Sequence, residues 1–416
     1  MYGTIFVPYM LNLLGTIQER MNMEMSEWFY QDAYRQEFDA AVVECAESRQ
    51  KQGVFEVVLE NTVFYPEGGG QPADRGTLES AEDGAAQVLD VQRRADDRVV
   101  HYTDRALPVG MMVHGRIDWA RRFDLMQNHS GEHIISGLVH RHYGYENVGY
   151  HMGEVITIDL SGPLTWEELM EIEREANGVV YDNRPIEITY PTLEELERIP
   201  YRSKKELTGT VRIVTVPGAD ICACCGTHVA RTGEIGVIKC LSMIRYKGGV
   251  RIEMASGGKA LRILERRMDS LTALSREMAV SPEEAESAFV KIRADSLAKS
   301  QRIAERTQMY YTARAAAMPE GAPLAAVFEE TLDPVETRRL CEFLLEQNRG
   351  TVCLAVSGGE DNWYYVIGSR SVDVRPGGRE LNQRLNGRGG GKPEMIQGTF
   401  HAAREEILSA AEKIFG

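Results

Sequence analysis

The run Asn128-His129-Ser130-Gly131-Glu132-His133 decides how this chain of 416 residues is built around one site. Ile134 and Leu138 continue it at helical spacing and Gly144 ends the pattern, which predicts a helix from Gln127 to Tyr143. Residues four apart lie on one face of a helix, so His129 and His133 can reach a common ion. The helix is therefore predicted to carry one half of a metal site.

The second half of that site is predicted about a hundred residues later, in Cys224-Cys225-Gly226-Thr227-His228. Three imidazole nitrogens and one thiolate suit a tetrahedral zinc ion and disfavour magnesium or calcium, which prefer oxygen ligands. Two histidines alone are more often a surface coincidence, but the second pair favours a metal. We therefore predict one Zn²⁺ per chain, held by His129, His133, Cys224 and His228, with Cys225 as a packed or partly exposed thiol.

Composition limits the partners and the compartment. A formal net charge of −15 argues against a protein that coats nucleic acid indiscriminately, so an RNA partner must meet a local basic patch. Seven cysteines without a secretory pattern favour reduced thiols in a cytoplasmic protein. The apolar stretch from Ile5 to Ile17 is too short and too interrupted to span a membrane.

The order of periodic segments predicts an α+β, multidomain chain. Short alternating runs between Asp39 and Arg116 favour a small N-terminal β-barrel, and the next segment favours helices packed on an antiparallel sheet. Long charged helices follow Gly258 as a connector, and strands alternate with helices from about Pro323. The predicted domains are 25–120, 121–257, 258–318 and 319–416, after an extension at 1–24.

Two features of this division stay open. Met23 and Met25 stand just before a fresh pattern, so translation is expected to begin there rather than at residue 1. The leucine and methionine stripe of the connector favours packing within the chain over dimerisation, because the heptads are not sustained. A homodimer through the connector or the C-terminal domain remains the alternative.

Two glycine-rich stretches cannot be assigned from local pattern. The stretch from Phe64 to Pro72 requires turns, and serves either as a tight barrel corner or as a loop that cradles a substrate. The stretch from Leu385 to Pro393 offers no fixed local structure. It lies in a segment, Arg370 to Arg404, with seven Arg or Lys against three acids, which is a candidate RNA contact or a solvated basic face.

The two metal motifs resemble the zinc motifs of the alanyl-tRNA synthetase editing domain and of its free-standing relatives, the AlaX-type editing proteins. The stretch from Phe64 to Gly76 is similar to the glycine-rich loop of that family, and Arg245 to Glu253 is similar to the strand that ends the editing domain. The run from Gly387 to Pro393 resembles the DHH-associated module, which helps to grip tRNA. These motifs, in the order in which they follow one another along the chain, resemble the long form of AlaX.

The resemblance implies a β-barrel, an α+β zinc editing domain, a helical connector and a C-terminal α/β DHH-associated-like domain. It implies hydrolysis of mischarged tRNA(Ala) in trans, chiefly seryl-tRNA(Ala), with glycyl-tRNA(Ala) as a second substrate. Thr62 would present its hydroxyl to the substrate side chain. The catalytic residues it implies are Thr62, Gly69, Gly70 and Gln71, and those binding RNA are Arg384, Arg388, Gly389, Gly390, Gly391 and Lys392.

The site chemistry leaves two functions to compare. Zinc can act as a Lewis acid, as a template for the amino group, or by lowering the pKa of a water molecule. Four protein ligands leave little room for water, so one ligand is expected to be loose or the zinc to act chiefly as a template. The alternative is a non-catalytic RNA-binding protein stapled by zinc.

Three other activities are disfavoured. A zincin protease places its glutamate directly after the first histidine, whereas Glu132 directly precedes the second one. The chain shows neither an aminoacylation domain nor an Asp-His-His phosphodiesterase motif. We therefore expect it neither to charge tRNA nor to degrade RNA by that route.

Overall fold

The computed structural model describes residues 27–80, 84–203, 211–359 and 361–416, so the expectation for 1–24 lies outside the described residues. Internal contacts divide the chain into two units, Met1–Leu271 and Thr272–Gly416. Among the helices of the described residues, none has the length and apolar composition to cross a membrane.

The first unit begins with a closed antiparallel barrel, which confirms the predicted barrel. A short helix α1 (Trp28–Gln31) precedes it, and the six strands follow in the order β1-β2-β5-β4-β3-β6 around the barrel. Along the first strand, buried Phe38, Ala40 and Val42 alternate with exposed residues, as the period of two requires. The strands are β1 (Glu37–Glu47), β2 (Phe55–Leu59), β3 (Gly76–Ser80), β4 (Gly84–Arg93), β5 (Val99–Thr103) and β6 (Met112–Ile117).

The rest of the first unit packs two helices on an antiparallel sheet. Helix α2 (Trp119–Tyr143) and helix α3 (Trp166–Tyr181) share one apolar core with a sheet of order β12-β13-β8-β7. A separate sheet of order β11-β10-β9 leads into the second metal motif. The remaining elements are β7 (Asn147–Met152), β8 (Ile156–Leu160), β9 (Glu187–Thr189), α4 (Leu193–Leu196), β10 (Ile213–Val216), β11 (Asp220–Ala223), β12 (Ile238–Tyr246), β13 (Gly249–Ser256) and α5 (Gly257–Glu277).

Helix α2 begins at Trp119, eight residues before the predicted start at Gln127. The side chain of Asp118 caps it by accepting a hydrogen bond from the backbone N–H of Arg121. The first two turns bury Arg122 completely, so the apolar period is broken on the face that enters the core. A helix that buries polar residues therefore extends beyond its apolar pattern.

The second unit carries a five-stranded sheet of order β14-β15-β16-β18-β17. Only the pair β14 and β15 is parallel. The glycine-rich run, which has no fixed local structure to offer by itself, becomes strand β17 by pairing with β18 and forms an edge of the sheet. The elements are α6 (Ala285–Ala316), β14 (Ala322–Glu329), α7 (Pro334–Glu346), β15 (Gly350–Gly359), β16 (Asn362–Ser369), α8 (Arg375–Arg384), β17 (Arg388–Lys392), β18 (Met395–Phe400) and α9 (Arg404–Phe415).

Candidate metal centre

The two predicted halves of the metal site meet in the first unit. Helix α2 supplies His129 and His133, and the segment that follows strand β11 supplies Cys224 and His228. The four candidate ligand atoms all lie within 4.8 Å of one another and are buried, although the Cys224 residue as a whole is only half-buried. Sγ of Cys224 lies 3.4 Å from Nε2 of His129 and 3.4 Å from Nε2 of His228.

A neighbouring polar side chain holds each imidazole through the Nδ1 atom of the ring. Nδ1 of His129 lies 3.0 Å from Oε1 of Gln71, and Nδ1 of His228 lies 3.1 Å from Oγ of Ser130. Nδ1 of His133 lies 2.9 Å from Oδ2 of Asp220. Such partners fix the ring orientation and leave Nε2 available as a ligand. The donor set and its supports thus fit a zinc ion.

The protonation states of Cys224 and His228 suit metal binding, whereas burial is outweighed at His133 by Cys224 and Asp220, which raise the pKa of that ring to about 10, so it must release a proton when an ion binds. Burial raises the pKa of the Cys224 thiol, but the imidazoles of His129 and His133 outweigh it and hold that pKa well below the usual value. Burial lowers the pKa of His228 to about 3, so this ring is neutral. Thiolate and neutral imidazole are the forms that bind zinc.

Asp220 is a supporting residue that the sequence reasoning missed. Its Oδ1 accepts from Nε of Arg202 at 2.8 Å, and Oδ2, the oxygen that contacts His133, also accepts from Nη2 of Arg202 at 2.9 Å. Burial raises the pKa of Asp220, but His133 and Arg202 lower it below the usual value, so the group is a carboxylate. The available signal was alternation, since Asp220, Cys222 and Cys224 follow one another at the period of a strand.

The glycine-rich loop between β2 and β3 lies against the metal centre. Gln71 is fully buried, and its Oε1 also accepts from the backbone N–H of Thr227 at 2.9 Å. Gly70 has a φ of +83°, and a Cβ there would overlap the ring of Tyr150. That ring stacks on His129 with 5.6 Å between centroids. Gln71 therefore orients the imidazole of His129, and the absence of a side chain at Gly70 allows the ring of Tyr150 to approach the loop closely.

A second close approach lies within the segment from Cys224 to His228, which we call the metal segment. A Cβ on Gly226 would overlap the imidazole of His129. The turn after Cys224 can therefore pass the first histidine only with glycine at that position.

Other predicted residues lie outside the cluster. Thr62 is 4% exposed inside the barrel, where its Oγ1 lies 2.9 Å from Nε2 of His101 and accepts from the backbone N–H of Phe64 at 3.0 Å. The residues predicted to bind RNA belong to the second unit, and those of β17 are all exposed. Arg384 ends helix α8 and pairs with Glu380.

Glu132 lies on the same helix as the two histidines, and its carboxylate is bonded to polar neighbours. It is 1% exposed, and its Oε1 accepts from Oγ of Ser136 at 2.6 Å and from Nδ2 of Asn147 at 2.5 Å. This carboxylate is held in the core, as expected for a residue without a role as base.

Comparison with known proteins gives two family matches. Residues 17–121 match a family described as tRNA synthetases class II (A), and residues 211–253 match the threonyl and alanyl tRNA synthetase second additional domain. The second match covers the segment with Cys224 and His228.

Individual relatives carry related names. The alanine–tRNA ligase of Natronomonas pharaonis is 35% identical over 413 residues, which cover 94% of this chain and 44% of that protein. The alanyl-tRNA editing protein Aarsd1 of Mus musculus is 34% identical over 59% of this chain and 62% of its own length. For the Rattus norvegicus protein of that name, the identity is 33% over 63% of this chain and 66% of its own length. The chain thus spans less than two thirds of each of these relatives.

Solved structures also match, and one of them is an alanyl-tRNA synthetase domain. The C-Ala domain of Aquifex aeolicus alanyl-tRNA synthetase aligns with 22% of this chain and 89% of that domain at 27% identity, with a TM-score of 0.21. The sequence matches confirm the resemblance to alanyl-tRNA editing proteins that the motifs predicted.

Proposed function

We propose that this relative of the alanyl-tRNA editing proteins is a trans-editing hydrolase for mischarged tRNA(Ala). The substrate is chiefly seryl-tRNA(Ala), with glycyl-tRNA(Ala) as a second one, and the reaction is hydrolysis of the aminoacyl ester. One observation carries the proposal: a buried cluster of three histidines and a cysteine lies beside a glycine-rich loop. Both features lie in a chain related to editing proteins.

The metal ligands in this proposal are His129, His133, Cys224 and His228. A bound zinc ion supplies positive charge that polarises an ester and orients its amino group. Gln71, Ser130 and Asp220 keep the three imidazoles in place, so that little reorganisation is needed when the substrate arrives. Gly69 and Gly70 place the loop backbone close to Cys225 and to the ring of Tyr150, beside the candidate ligands.

Thr62 is proposed to select the substrate hydroxyl. Nδ1 of His101 lies 3.2 Å from the carbonyl oxygen of Val57, so Nδ1 carries the proton and Nε2 accepts from the Thr62 hydroxyl. Burial lowers the pKa of His101 to about 4, which keeps this ring neutral. Because the Thr62 hydroxyl donates its proton to His101, Oγ1 can only accept a further hydrogen bond. The hydroxyl of a serine substrate can donate that bond, whereas alanine has no such donor.

The second unit is proposed to grip the tRNA. Arg384, Arg388 and Lys392 supply cations there, although the whole chain carries a net charge of −15. The exposed strand β17 presents Gly389, Gly390 and Gly391 between two of these cations. A backbone without side chains allows close contact with a sugar–phosphate chain.

The proposal is tested by release of labelled amino acid from seryl-tRNA(Ala) and alanyl-tRNA(Ala) incubated with the native protein. We expect serine to be released and alanine to be retained, because a site that pairs with a hydroxyl rejects the analogue without it by about 10⁴-fold. Tight tRNA binding with no release above the buffer rate would instead support the zinc-stapled RNA-binding protein.

Replacement of Thr62 with valine is expected to allow release of alanine from alanyl-tRNA(Ala). The methyl group of valine has nearly the same shape as the threonine hydroxyl but forms no hydrogen bond with the hydroxyl of a serine substrate, so the preference for serine is lost. The serine-to-alanine rate ratio should fall by about tenfold or more. Thr103→Val is the matched control, since Thr103 is also buried in the barrel and donates to the carbonyl of Arg105 at 2.7 Å. An unchanged ratio in Thr62→Val would refute the assignment.

A further inference from the structure

The metal segment presents three successive backbone carbonyls, and each accepts a hydrogen bond from a side chain elsewhere in the first unit. Nη1 of Arg212 donates to the carbonyl oxygens of Cys224 and Gly226 at 2.8 and 2.9 Å. The hydroxyl of Tyr30 donates to the carbonyl oxygen of Cys225 at 2.9 Å, and the hydroxyl of Tyr65 shares its one proton between the carbonyl oxygens of Cys225 at 3.1 Å and Gly68 at 3.0 Å. We call Arg212, Tyr30 and Tyr65 the carbonyl clamp.

Arg212 holds the cysteine ligand by both backbone groups. It directly precedes strand β10, and its own carbonyl accepts from the N–H of Cys224 at 3.0 Å. The side chain is buried, with the residue 6% exposed, and the guanidinium lies over the ring of Tyr30 at 5.3 Å from the centroid. A buried guanidinium needs acceptors, and the carbonyls of the metal segment provide two for Nη1, whereas Nε has no partner among the described residues.

The two tyrosines come from separate parts of the chain. Tyr30 belongs to helix α1, ahead of the barrel, and Tyr65 belongs to the glycine-rich loop. Burial raises the pKa of both phenols well above the usual value, so both hydroxyls keep the proton that they donate. Their rings also pack edge to face, with 6.4 Å between centroids. The carbonyl clamp thus connects helix α1, the glycine-rich loop and the residue before strand β10 to the metal segment.

We propose that the carbonyl clamp consists of positioning residues that place the Cys224 thiolate for the metal ion. The inference rests on the proposed metal centre, and goes beyond it by assigning residues that do not touch the metal. One torsion separates Sγ from the backbone of a cysteine, so fixing both the N–H and the C=O of Cys224 largely fixes where Sγ lies. An ordered segment loses less conformational freedom when the ion binds, which strengthens binding.

The test measures binding of Co²⁺, a spectroscopic probe for zinc sites, to the full chain and its variants. Affinity is obtained by competition with a chromophoric chelator, and the thiolate-to-cobalt charge-transfer band reports the cysteine ligand. We expect Tyr30→Phe/Tyr65→Phe and Arg212→Gln each to weaken Co²⁺ binding by about 10- to 100-fold and to weaken or shift that band. Arg212→Lys, which keeps a cationic donor, should recover part of both signals.

Matched controls remove the same groups elsewhere in the first unit. Arg251 pairs with Asp159 on strands β13 and β8, and Tyr102 lies on barrel strand β5. Arg251→Gln and Tyr102→Phe should bind Co²⁺ like the native protein and show the native band.

The outcomes separate the two proposals. If the native protein fails to bind Co²⁺, the metal centre itself is wrong, and the clamp falls with it. If the native protein binds Co²⁺ and the folded clamp variants match its affinity and its band, only the clamp is overturned. Should Arg212→Gln fail to fold, the tyrosine double variant decides, because it removes two oxygen atoms and no volume from the core.

Discussion

Replacement of both His129 and His133 with alanine is expected to abolish metal binding and to slow release of serine from seryl-tRNA(Ala) by about a thousandfold or more. The reason is that polarisation by a metal ion contributes several kcal/mol to such a barrier, and each 1.36 kcal/mol is a factor of about ten in rate. The two remaining ligands, Cys224 and His228, are too few for a stable site. Metal content and deacylation rate should be measured on the same preparation.

Helix α2 itself offers the matched control. His140 and His142 lie on the same helix, are exposed, and pair with Glu146 and Glu175 at its C-terminal end. His140→Ala/His142→Ala should keep the native metal content and rate. Full activity in the His129/His133 variant would overturn the metal-dependent hydrolase, whereas loss of metal with unfolding of the domain would favour the structural staple.

The second large effect is expected at a buried ion pair that joins the barrel loop to helix α2. Arg122 and Asp74 are both fully buried, and Nε of Arg122 lies 2.9 and 3.0 Å from the two carboxylate oxygens. Arg122 also donates to the carbonyl oxygen of Val63, and Asp74 accepts from the N–H of Tyr65. Asp74→Ala leaves a buried guanidinium without its carboxylate, which should lower the free energy of unfolding by about 3–5 kcal/mol.

Urea denaturation followed by tryptophan fluorescence measures this loss, since three of the four tryptophans (Trp28, Trp119 and Trp166) belong to the first unit. Asp96→Ala is the control, because Asp96 pairs with Arg94 on the exposed barrel surface. That variant should unfold at nearly the native urea concentration. Equal midpoints for Asp74→Ala and Asp96→Ala would show that the buried pair does not hold the loop to the helix.

The ligand pairs were predictable because their spacing is local. His129 and His133 are four apart, and so are Cys224 and His228, so each pair can be read without knowing the fold. Their supports were not predictable in the same way, since Gln71 and Asp220 arrive from a loop and a strand far along the chain. Gln71 was named only through the family resemblance of the glycine-rich loop, and Asp220 could have been found only from its alternation with Cys222 and Cys224.

The start of helix α2 and strand β17 are two features that local sequence pattern does not show, and the physical reason is of the same kind in both. Helix α2 extends to Trp119 because a cap and an ion pair stabilise turns that carry no apolar period. The run of three glycines at Gly389 becomes strand because β18 supplies a partner backbone, which local preference cannot show. Apolar periodicity indicates which residues of a segment face a hydrophobic core. Helix α2 at its start and strand β17 are stabilised by hydrogen bonds and an ion pair instead, which leave no such periodicity.

The distance along the chain between the ligand pairs also sets an order of events during synthesis. Strand β6 closes the barrel on β1, so every strand of the barrel precedes the first ligand, His129, in the order of translation. Cys224 follows His129 by 95 residues. At about 5–20 residues per second, the ribosome needs about 5–20 s to cross that interval. A nascent chain can therefore complete its barrel before Cys224 is made, and an ion that needs all four residues can bind only after that.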